Sequence, residues 1–370
     1  MKWVAAWGCA ESLTPASVCT LCSNTTLQYE IYIGIDGEAI RLHFSNRYGG
    51  TNLYFDSITV RHNGEIKNVS VNTKKQVNIS KHECVVTDTI EMHVKAGDKL
   101  IVSMFFNGII EMSTGRTSSG PLVKGCFARG DFTNELYIPA KESLEFNTYY
   151  FLTGIDVLAQ DNTNALLAFG DSITNQSWPD WLTLRLLETN KTNLSVIRCG
   201  IGGNRVLGEY QDLRSQPYGE RGTERLKREI DRCGIDRIIV LHGVNDIIHP
   251  MQDNELRPWS QLPTAEEIID GYRAYISIAH ERGVKIYFAT ITPINGWKTY
   301  LPVKEEIRRK VNCWILNNNE ADGAIDFATA ICDPDDQTKQ IPDYNCGDGL
   351  HPSLLGGKML AYSIPESILE

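Results

Sequence analysis

The segment LLAFGDSITNQSW, residues 166–178, carries an apolar run directly into Gly-Asp-Ser. The run has the length and composition of a parallel strand that is buried on both faces and ends near Gly170. A strand that ends there brings Ser172 to the rim of a sheet, where open α/β sheets hold their functional groups. Gly-Asp-Ser is also a common turn sequence, so the tripeptide alone does not identify a catalytic serine.

The chain has 370 residues, a length that suits two domains, with 42% hydrophobic and 22% charged residues as in ordinary folded proteins. The formal net charge of -10 argues against a nucleic-acid partner. No apolar stretch approaches the ~18 residues that a membrane-spanning helix needs. The first residues, MKWVAAWGCAESL, have too short an apolar core for a signal peptide, so we expect a cytoplasmic protein.

The ten cysteines are expected to be reduced thiols, because the sequence lacks a recognisable secretion signal. Cys19 and Cys22 form the one C-x-x-C pair. No second pair or histidine follows at the spacing of a zinc site, so we interpret both as structural thiols and expect no metal.

Residues 1–160 are rich in short runs with the periodicity of strands. In AIRLHFSNRYGG, residues 39–50, apolar and polar side chains alternate: Ile40, Leu42 and Phe44 against Arg41, His43 and Ser45. This alternation predicts a half-buried strand with one face in solvent. Similar runs recur in LQYEIYIG, NLYFDSITVRH, EMHVKAG and LIVSMFF, and no amphipathic helix is evident. We therefore predict an all-β sandwich domain, jelly-roll-like, over residues 1–160.

Residues 161–370 alternate between predicted strands and helices. The strands are ALLAF (165–169), LSVIR (194–198), RIIVLH (237–242), KIYFAT (285–290) and GAIDF (323–327). A capping box, Thr264 with Glu267, predicts the start of one helix, and Gly283 predicts its end. A second helix has a core-facing stripe at helical spacing: Ile307, Val311, Trp314 and Ile315. Five β-α units predict a three-layer α/β/α domain, with function at the carboxyl ends of its strands.

Four motifs fall on loops at that edge: GDSIT, CGIGGNRV (199–206), HGVNDI (242–247) and GDGLHPS (347–353). A serine hydroxyl becomes nucleophilic when a neighbouring base takes its proton, and His351 is the candidate base for Ser172. Asp348 can fix the tautomer of that imidazole. The backbone N–H groups of Ser172 and Gly203, with the Asn245 amide, can stabilise the oxyanion that forms when an ester is attacked.

Each motif alone also has an ordinary structural interpretation as a tight turn, a helix cap or a capping segment. The four together, on loops at one sheet edge, favour a serine hydrolase. The G-x-S-x-G elbow of α/β-hydrolases is absent. Arg205 interrupts the spacing of a dinucleotide fingerprint, so we expect no cofactor.

The blocks GDSIT, GIGGN, GVND and DGLHP resemble those of the SGNH hydrolases, also called the GDSL esterase/lipase family. The resemblance extends to WVAAW, IRLHFSNRYGG and TNLYFDSITV, which look like the amino-terminal β-domain of a two-domain bacterial subgroup, and to YFATITPINGW and RRKVNCWI in the second half. It implies a flavodoxin-like hydrolase domain with Ser172 as nucleophile, Asp348 and His351 completing the triad, and Gly203 and Asn245 as oxyanion donors.

The predicted activity is hydrolysis of a small-molecule or carbohydrate ester through an acyl-enzyme, and a short-chain substrate such as an acetylated sugar is the first hypothesis. A lipase, lysophospholipase or thioesterase of the same family is the alternative within the enzyme class. A non-catalytic carbohydrate-binding protein is the alternative outside it.

Overall fold

A computed structural model describes residues 1–15, 17, 19–212, 215–252 and 254–370. The chain divides into two compact units, the first made of residues 1–164 and 186–197 and the second of residues 165–185 and 198–370. The predicted domain boundary between residues 160 and 161 stays a prediction.

The described part of the first 160 residues contains strands and no helix. The strands are β1 (Lys2–Gly8), β2 (Ser12–Leu13), β3 (Leu21–Cys22), β4 (Thr25–Tyr32), β5 (Gly37–Ser45), β6 (Leu53–Phe55), β7 (Ser57–His62), β8 (Glu65–Asn68), β9 (Val77–Ile79), β10 (Cys84–Val86), β11 (Ile90–Val94), β12 (Lys99–Phe106), β13 (Ile110–Glu111), β14 (Thr114–Thr117), β15 (Lys124–Arg129), β16 (Leu144–Phe146), β17 (Thr148–Tyr150) and β18 (Leu152–Ala159).

Two antiparallel sheets dominate this region. One has the order β1-β18-β5-β10, with β11 also paired to β5, and the other has the order β16-β15-β4-β12-β7-β8. The ring of Phe55 contacts Phe44 of the first sheet at 5.6 Å and Phe106 of the second at 6.5 Å, between ring centroids. Aromatic side chains thus join the apolar faces of both sheets in one core. The jelly-roll-like connectivity stays a prediction.

The prediction that one side of β5 faces solvent is wrong at Ser45, which is 1% exposed. Strand β10 pairs alongside it, and the thiol of Cys84 donates a hydrogen bond to the Ser45 hydroxyl at 3.3 Å. On the same face, Arg41 and His43 each contact the buried carboxylate of Asp156 at 2.8 Å. Neighbouring strands therefore cover a face of β5 that the alternation of apolar and polar residues alone predicts to be exposed to solvent.

The second half alternates strands and helices as predicted. Its strands are β19 (Asn164–Gly170), β20 (Leu194–Gly200), β21 (Ile235–Leu241), β22 (Lys285–Ala289) and β23 (Gly323–Ile325). Its α-helices are α1 (Ser172–Asn175), α2 (Trp178–Glu188), α3 (Gly222–Glu229), α4 (Val244–Ile248), α5 (Ala265–His280), α6 (Pro302–Asn317), α7 (Phe327–Ile331), α8 (Leu354–Ser363) and α9 (Glu366–Leu369). Short 3-10 turns cover Gln216–Tyr218, Trp259–Gln261 and Pro342–Tyr344.

These strands form one sheet in the order β20-β19-β21-β22-β23, and β19, β21, β22 and β23 run parallel. Residues 165–170 are all buried, although successive side chains in a strand point to opposite faces. Both faces of the sheet are therefore covered, as in a three-layer α/β/α domain. The order 2-1-3-4-5 is the flavodoxin-like one, with its ligand site beside the first and third strands.

Several details differ from the sequence expectations. The last strand ends at Ile325, because Asp326 caps α7 by accepting a hydrogen bond from the N–H of Thr329. Helix α5 ends at His280, three residues before Gly283, whose φ of 68° lies in the left-handed region. Trp314 was expected in the core with Ile307, but it is only half-buried. It packs at the border of the core, 6.0 Å from the rings of Tyr272 and Phe288.

The ten described cysteines form no disulfide, and Cys19 and Cys22 are half-buried. None of the described helices combines the length and the apolar character needed to cross a lipid bilayer. The structural role of the C-x-x-C pair, the cytoplasmic location and the lack of a nucleic-acid partner stay predictions.

The contribution of the capping box at Thr264 to the stability of α5 can be tested by substitution. Its hydroxyl accepts a hydrogen bond from the N–H of Glu267 at 3.3 Å, and the Glu267 carboxylate accepts one from the N–H of Thr264 at 2.7 Å. Replacing Thr264 with Ala is expected to lower the free energy of unfolding by about 1 kcal/mol, measured by urea denaturation. Thr264→Ser keeps the acceptor oxygen and should lose less. Equal losses in the two variants would contradict the capping role.

Candidate active site

Ser172 is the first residue of α1, two positions after β19 ends at Gly170. The strand ends because Asp171 caps the helix, its carboxylate accepting a hydrogen bond from the N–H of Ile173 at 3.0 Å. This contact gives Asp171 a structural role beside the serine. Ser172 itself is half-buried and lines a pocket, so its hydroxyl is held at the sheet edge and stays accessible.

His351 connects Ser172 to Asp348. Its Nδ1 lies 2.6 Å from an Asp348 carboxylate oxygen, and its Nε2 lies 2.9 Å from the Ser172 hydroxyl oxygen. An ionised carboxylate only accepts hydrogen bonds, so Nδ1–H donates to Asp348 and Nε2 accepts from the serine. Burial works to raise the pKa of Asp348, but hydrogen bonds from the His351 ring and from backbone N–H groups outweigh it and hold the pKa below its usual value.

The loop that carries Asp348 and His351 is closed by its own hydrogen bonds. The Asn345 side-chain oxygen accepts from the N–H groups of Gly347 at 2.8 Å and Gly349 at 2.9 Å. Gly349 has a φ of 76°, and a Cβ there would lie 2.3 Å from the carbonyl carbon of Gly296. Only glycine fits this close approach of two backbones, so the loop has little freedom to move the imidazole.

Gly203 and Asn245, predicted to be oxyanion donors together with the N–H of Ser172, line the same pocket as Ser172 and His351. Gly203 has a φ of 77°, and a Cβ on it would lie 2.5 Å from the ring of Tyr218. Asn245 lies in the first turn of α4, is 2% exposed, and donates a hydrogen bond from Nδ2 to the carbonyl of Asn204 at 3.0 Å. The structure thus brings together all of the predicted site residues.

The pocket around these residues has a volume of about 360 Å³. Apolar and aromatic side chains form part of its wall: Tyr218, Ile248, Met251, Trp297 and Leu350. Polar and basic side chains form the rest: His249, Arg257, Lys298 and Thr299. The indole of Trp297 meets the His351 ring edge to face at 5.9 Å between centroids.

Behind the pocket lies a buried chain of hydrogen bonds that the sequence did not predict. The Asn204 carbonyl, which accepts from Asn245, also lies 3.2 Å from Nε2 of His242. Nδ1 of His242 lies 2.9 Å from the hydroxyl of Tyr275. Burial, helped by the charge of Arg225, lowers the pKa of His242 to about 3, so the ring is neutral and donates from Nε2. Asn204 and His242 fall inside the quoted motifs, but nothing in their spacing reveals the pairing.

Two buried carboxyl groups flank the site on its inner side. Asp246 accepts hydrogen bonds from the N–H groups of Val206 at 2.9 Å and Leu207 at 3.1 Å, which ties the loop after Gly203 to α4. Burial raises the pKa of Asp171 to about 7, and the nearby Asp246 adds to the shift. Burial likewise raises the pKa of Asp246 to about 6. Both groups favour the neutral form more than a surface carboxyl does.

Comparison with known proteins gives one family match. Residues 168–359 match the model of the GDSL-like Lipase/Acylhydrolase family, and this segment holds every residue named in the site. No curated protein matches the chain.

Solved structures similar to the chain include a GDSL-like lipase from Bacteroides thetaiotaomicron, with 13% identity, 56% of this chain and 88% of that chain covered, and a TM-score of 0.38. A carbohydrate acetylesterase family member from Sinorhizobium meliloti has 16% identity, with 54% and 95% covered and a TM-score of 0.41. An aryl esterase from M. smegmatis has 15% identity, with 56% and 99% covered and a TM-score of 0.41.

The raised pKa of Asp171 predicts a specific pH dependence of stability. Between its ordinary value of 3.8 and about 7, the unfolded chain loses a proton that the folded chain keeps, so this group lowers stability as pH rises. Asp171→Asn does not titrate and keeps an acceptor for Ile173. The unfolding free energy of Asp171→Asn minus that of wild type should therefore increase from pH 4 to pH 7, by at most about 1.4 kcal/mol per pH unit.

Urea denaturation at each pH measures this difference. Asp335→Asn is the matched control, because it makes the same substitution at an exposed position. A difference for Asp171→Asn that does not vary with pH would contradict the burial of a carboxyl that favours its neutral form.

Proposed function

Because the chain belongs to the GDSL-like lipase/acylhydrolase family and is a carboxylic ester hydrolase, we propose that it cleaves short-chain acyl esters with a Ser172–His351–Asp348 triad. The observation that carries the proposal is the pair of hydrogen bonds at His351. One ring nitrogen lies 2.9 Å from the serine oxygen and the other lies 2.6 Å from the carboxylate. This is the arrangement in which a base can take the serine proton while an acid holds the ring in the correct tautomer.

In the first step, the Ser172 oxygen attacks the ester carbonyl as its proton passes to Nε2 of His351. The imidazolium that forms is stabilised by the adjacent Asp348 carboxylate. The tetrahedral intermediate then collapses, and His351 gives the proton to the departing alcohol. The product of this step is an ester between Ser172 and the acyl group.

The negative oxygen of that intermediate requires donors that are fixed before the reaction begins. The backbone N–H groups of Ser172 and Gly203 and the amide of Asn245 fill this role in the proposal. Asn245 has one N–H engaged by the Asn204 carbonyl, which holds the amide in place and leaves its second N–H for the substrate.

In the second step, His351 takes a proton from a water molecule, which attacks the acyl-enzyme. The acid is released and the proton returns to Ser172 through His351. These side chains and water account for every proton and bond in both steps.

The pocket favours a small acyl group and a polar alcohol. Its volume of about 360 Å³ is near the lower end for ligand pockets. Arg257 and Lys298 line it, and both side chains carry N–H donors. Polar side chains of this kind suit the hydroxyl groups of a sugar better than an alkyl chain. An acetylated carbohydrate is therefore the proposed substrate class.

Ser172→Ala tests the nucleophile directly. The variant should fold normally and lose ester hydrolysis by several orders of magnitude in kcat, because no other group can form the acyl-enzyme. Hydrolysis of an aryl acetate measures the loss. Ser363→Ala, an exposed serine at the end of α8, is the control and should retain wild-type activity. Wild-type turnover in Ser172→Ala would rule out the proposed mechanism.

Asn245→Ala tests the oxyanion donor. We expect kcat to fall by roughly 10²–10³ with a smaller change in KM, because the amide acts mainly on the charge of the transition state. Steady-state kinetics on the same ester separate the two parameters. A change confined to KM would mean that Asn245 contributes only to substrate binding.

An acyl-chain series separates the acetylesterase from the lipase alternative. Activity on p-nitrophenyl esters should peak between acetyl and butyryl and fall steeply by octanoyl, because the pocket is small and no apolar lid segment is evident in the sequence. The kcat/KM values across the series measure this preference. A maximum at decanoyl or longer would favour the lipase or lysophospholipase.

A further inference from the structure

The loop that carries the candidate acid and base also brings a thiol to them. A thiol sulfur of Cys346, a carboxylate oxygen of Asp348 and a ring nitrogen of His351 all lie within 4.8 Å of one another. Within the described ranges, no other set of three or more His, Cys, Asp or Glu side chains meets so closely. The mechanism above uses Asp348 and His351 and leaves Cys346 without a role.

The three side chains are held in this arrangement by the backbone. The N–H of Cys346 donates to the carbonyl of His351 at 2.9 Å, which closes the loop between its first and last ligand residues. Asn345 donates to the same carbonyl at 3.2 Å. Cys346 is exposed, so an ion can reach its sulfur from solvent.

We propose that a thiophilic divalent cation such as Zn²⁺ binds Cys346, Asp348 and His351 and reversibly switches the enzyme off. The donor set of one sulfur, one imidazole nitrogen and one carboxylate oxygen is a set that Zn²⁺ accepts, with water as the fourth ligand. Mg²⁺ and Ca²⁺ prefer oxygen ligands alone, so the site should discriminate against them.

The inhibitory effect follows from the tautomer of His351 and rests on the proposed function. The ring nitrogen that lies 2.6 Å from the Asp348 carboxylate is Nδ1, which carries the ring proton in the active arrangement. When the cation takes that position, the thiol proton leaves to solvent and the ring proton moves to Nε2. Nε2–H then donates to Ser172 and can no longer accept the serine proton, so the nucleophile loses its base.

Metal binding can be measured without any substrate. Titration of the full chain with Co²⁺ should produce a near-ultraviolet thiolate-to-cobalt absorption band at one equivalent. Ser172→Ala should give the same band, because the serine is not a ligand. Cys346→Ser should abolish it, while Cys313→Ser, at an exposed cysteine on α6, should leave it unchanged.

Inhibition is measured separately, on an aryl acetate. Zn²⁺ should abolish wild-type hydrolysis, EDTA should restore it, and Mg²⁺ should have no effect. Cys346→Ser should keep nearly the basal activity of wild type, because serine retains a hydrogen-bonding group beside Asp348. It should need at least roughly tenfold more Zn²⁺ for half-inhibition, since it lacks one of three protein ligands.

The two measurements distinguish failure of the site from failure of the proposed function. A cobalt band that is absent from wild type, or that persists in Cys346→Ser, overturns the metal site whatever the activity is. Equal sensitivity of wild type and Cys346→Ser to Zn²⁺, or cobalt binding without loss of hydrolysis, overturns the switch. A chain that hydrolyses no ester yet shows the band refutes the proposed function and supports the metal site.

Discussion

The arrangement of the candidate site depends on the two hydrogen bonds of His351. A single imidazole spans Ser172 at 2.9 Å and Asp348 at 2.6 Å, although 179 residues separate the serine from the histidine along the chain. A shift of about 1 Å at either end would break one of the two hydrogen bonds, because hydrogen bonds weaken steeply beyond their normal length. The parallel sheet fixes the serine end, and the closed loop with Gly349 against Gly296 fixes the histidine end.

The buried polar groups behind the pocket also hold the residues of the candidate site in place. His242 stays neutral and donates to the carbonyl of Asn204, which also holds Asn245. Asp246 fastens the backbone that follows Gly203. Groups that are fully hydrogen-bonded in an apolar surrounding resist movement, because any displacement leaves a donor or acceptor unpaired. Candidate oxyanion donors on two different segments, the loop at Gly203 and helix α4, are thereby kept beside the same serine.

Much of this could be predicted from sequence, because the deciding signals are local. Period-two alternation, apolar runs and a capping box identify strands and helices, and the four motifs fall on the loops at one sheet edge. The errors arise where a partner distant in sequence decides the outcome. Ser45 is buried by a neighbouring strand, and His242 finds Asn204 and Tyr275 only in the folded chain. Cys346 likewise comes close to Asp348 and His351 only because the folded loop returns to His351.

A double-mutant comparison tests the central claim most directly, namely that Asp348 acts only through His351. The quantity to measure is kcat/KM on one aryl acetate for Asp348→Asn, His351→Ala and the double variant. We predict that Asp348→Asn retains at least roughly tenfold more activity than His351→Ala, because the acid orients the base while the base moves the proton. The double variant should be little worse than His351→Ala alone. If the two losses instead add in full, the residues do not act as a unit and the triad is wrong.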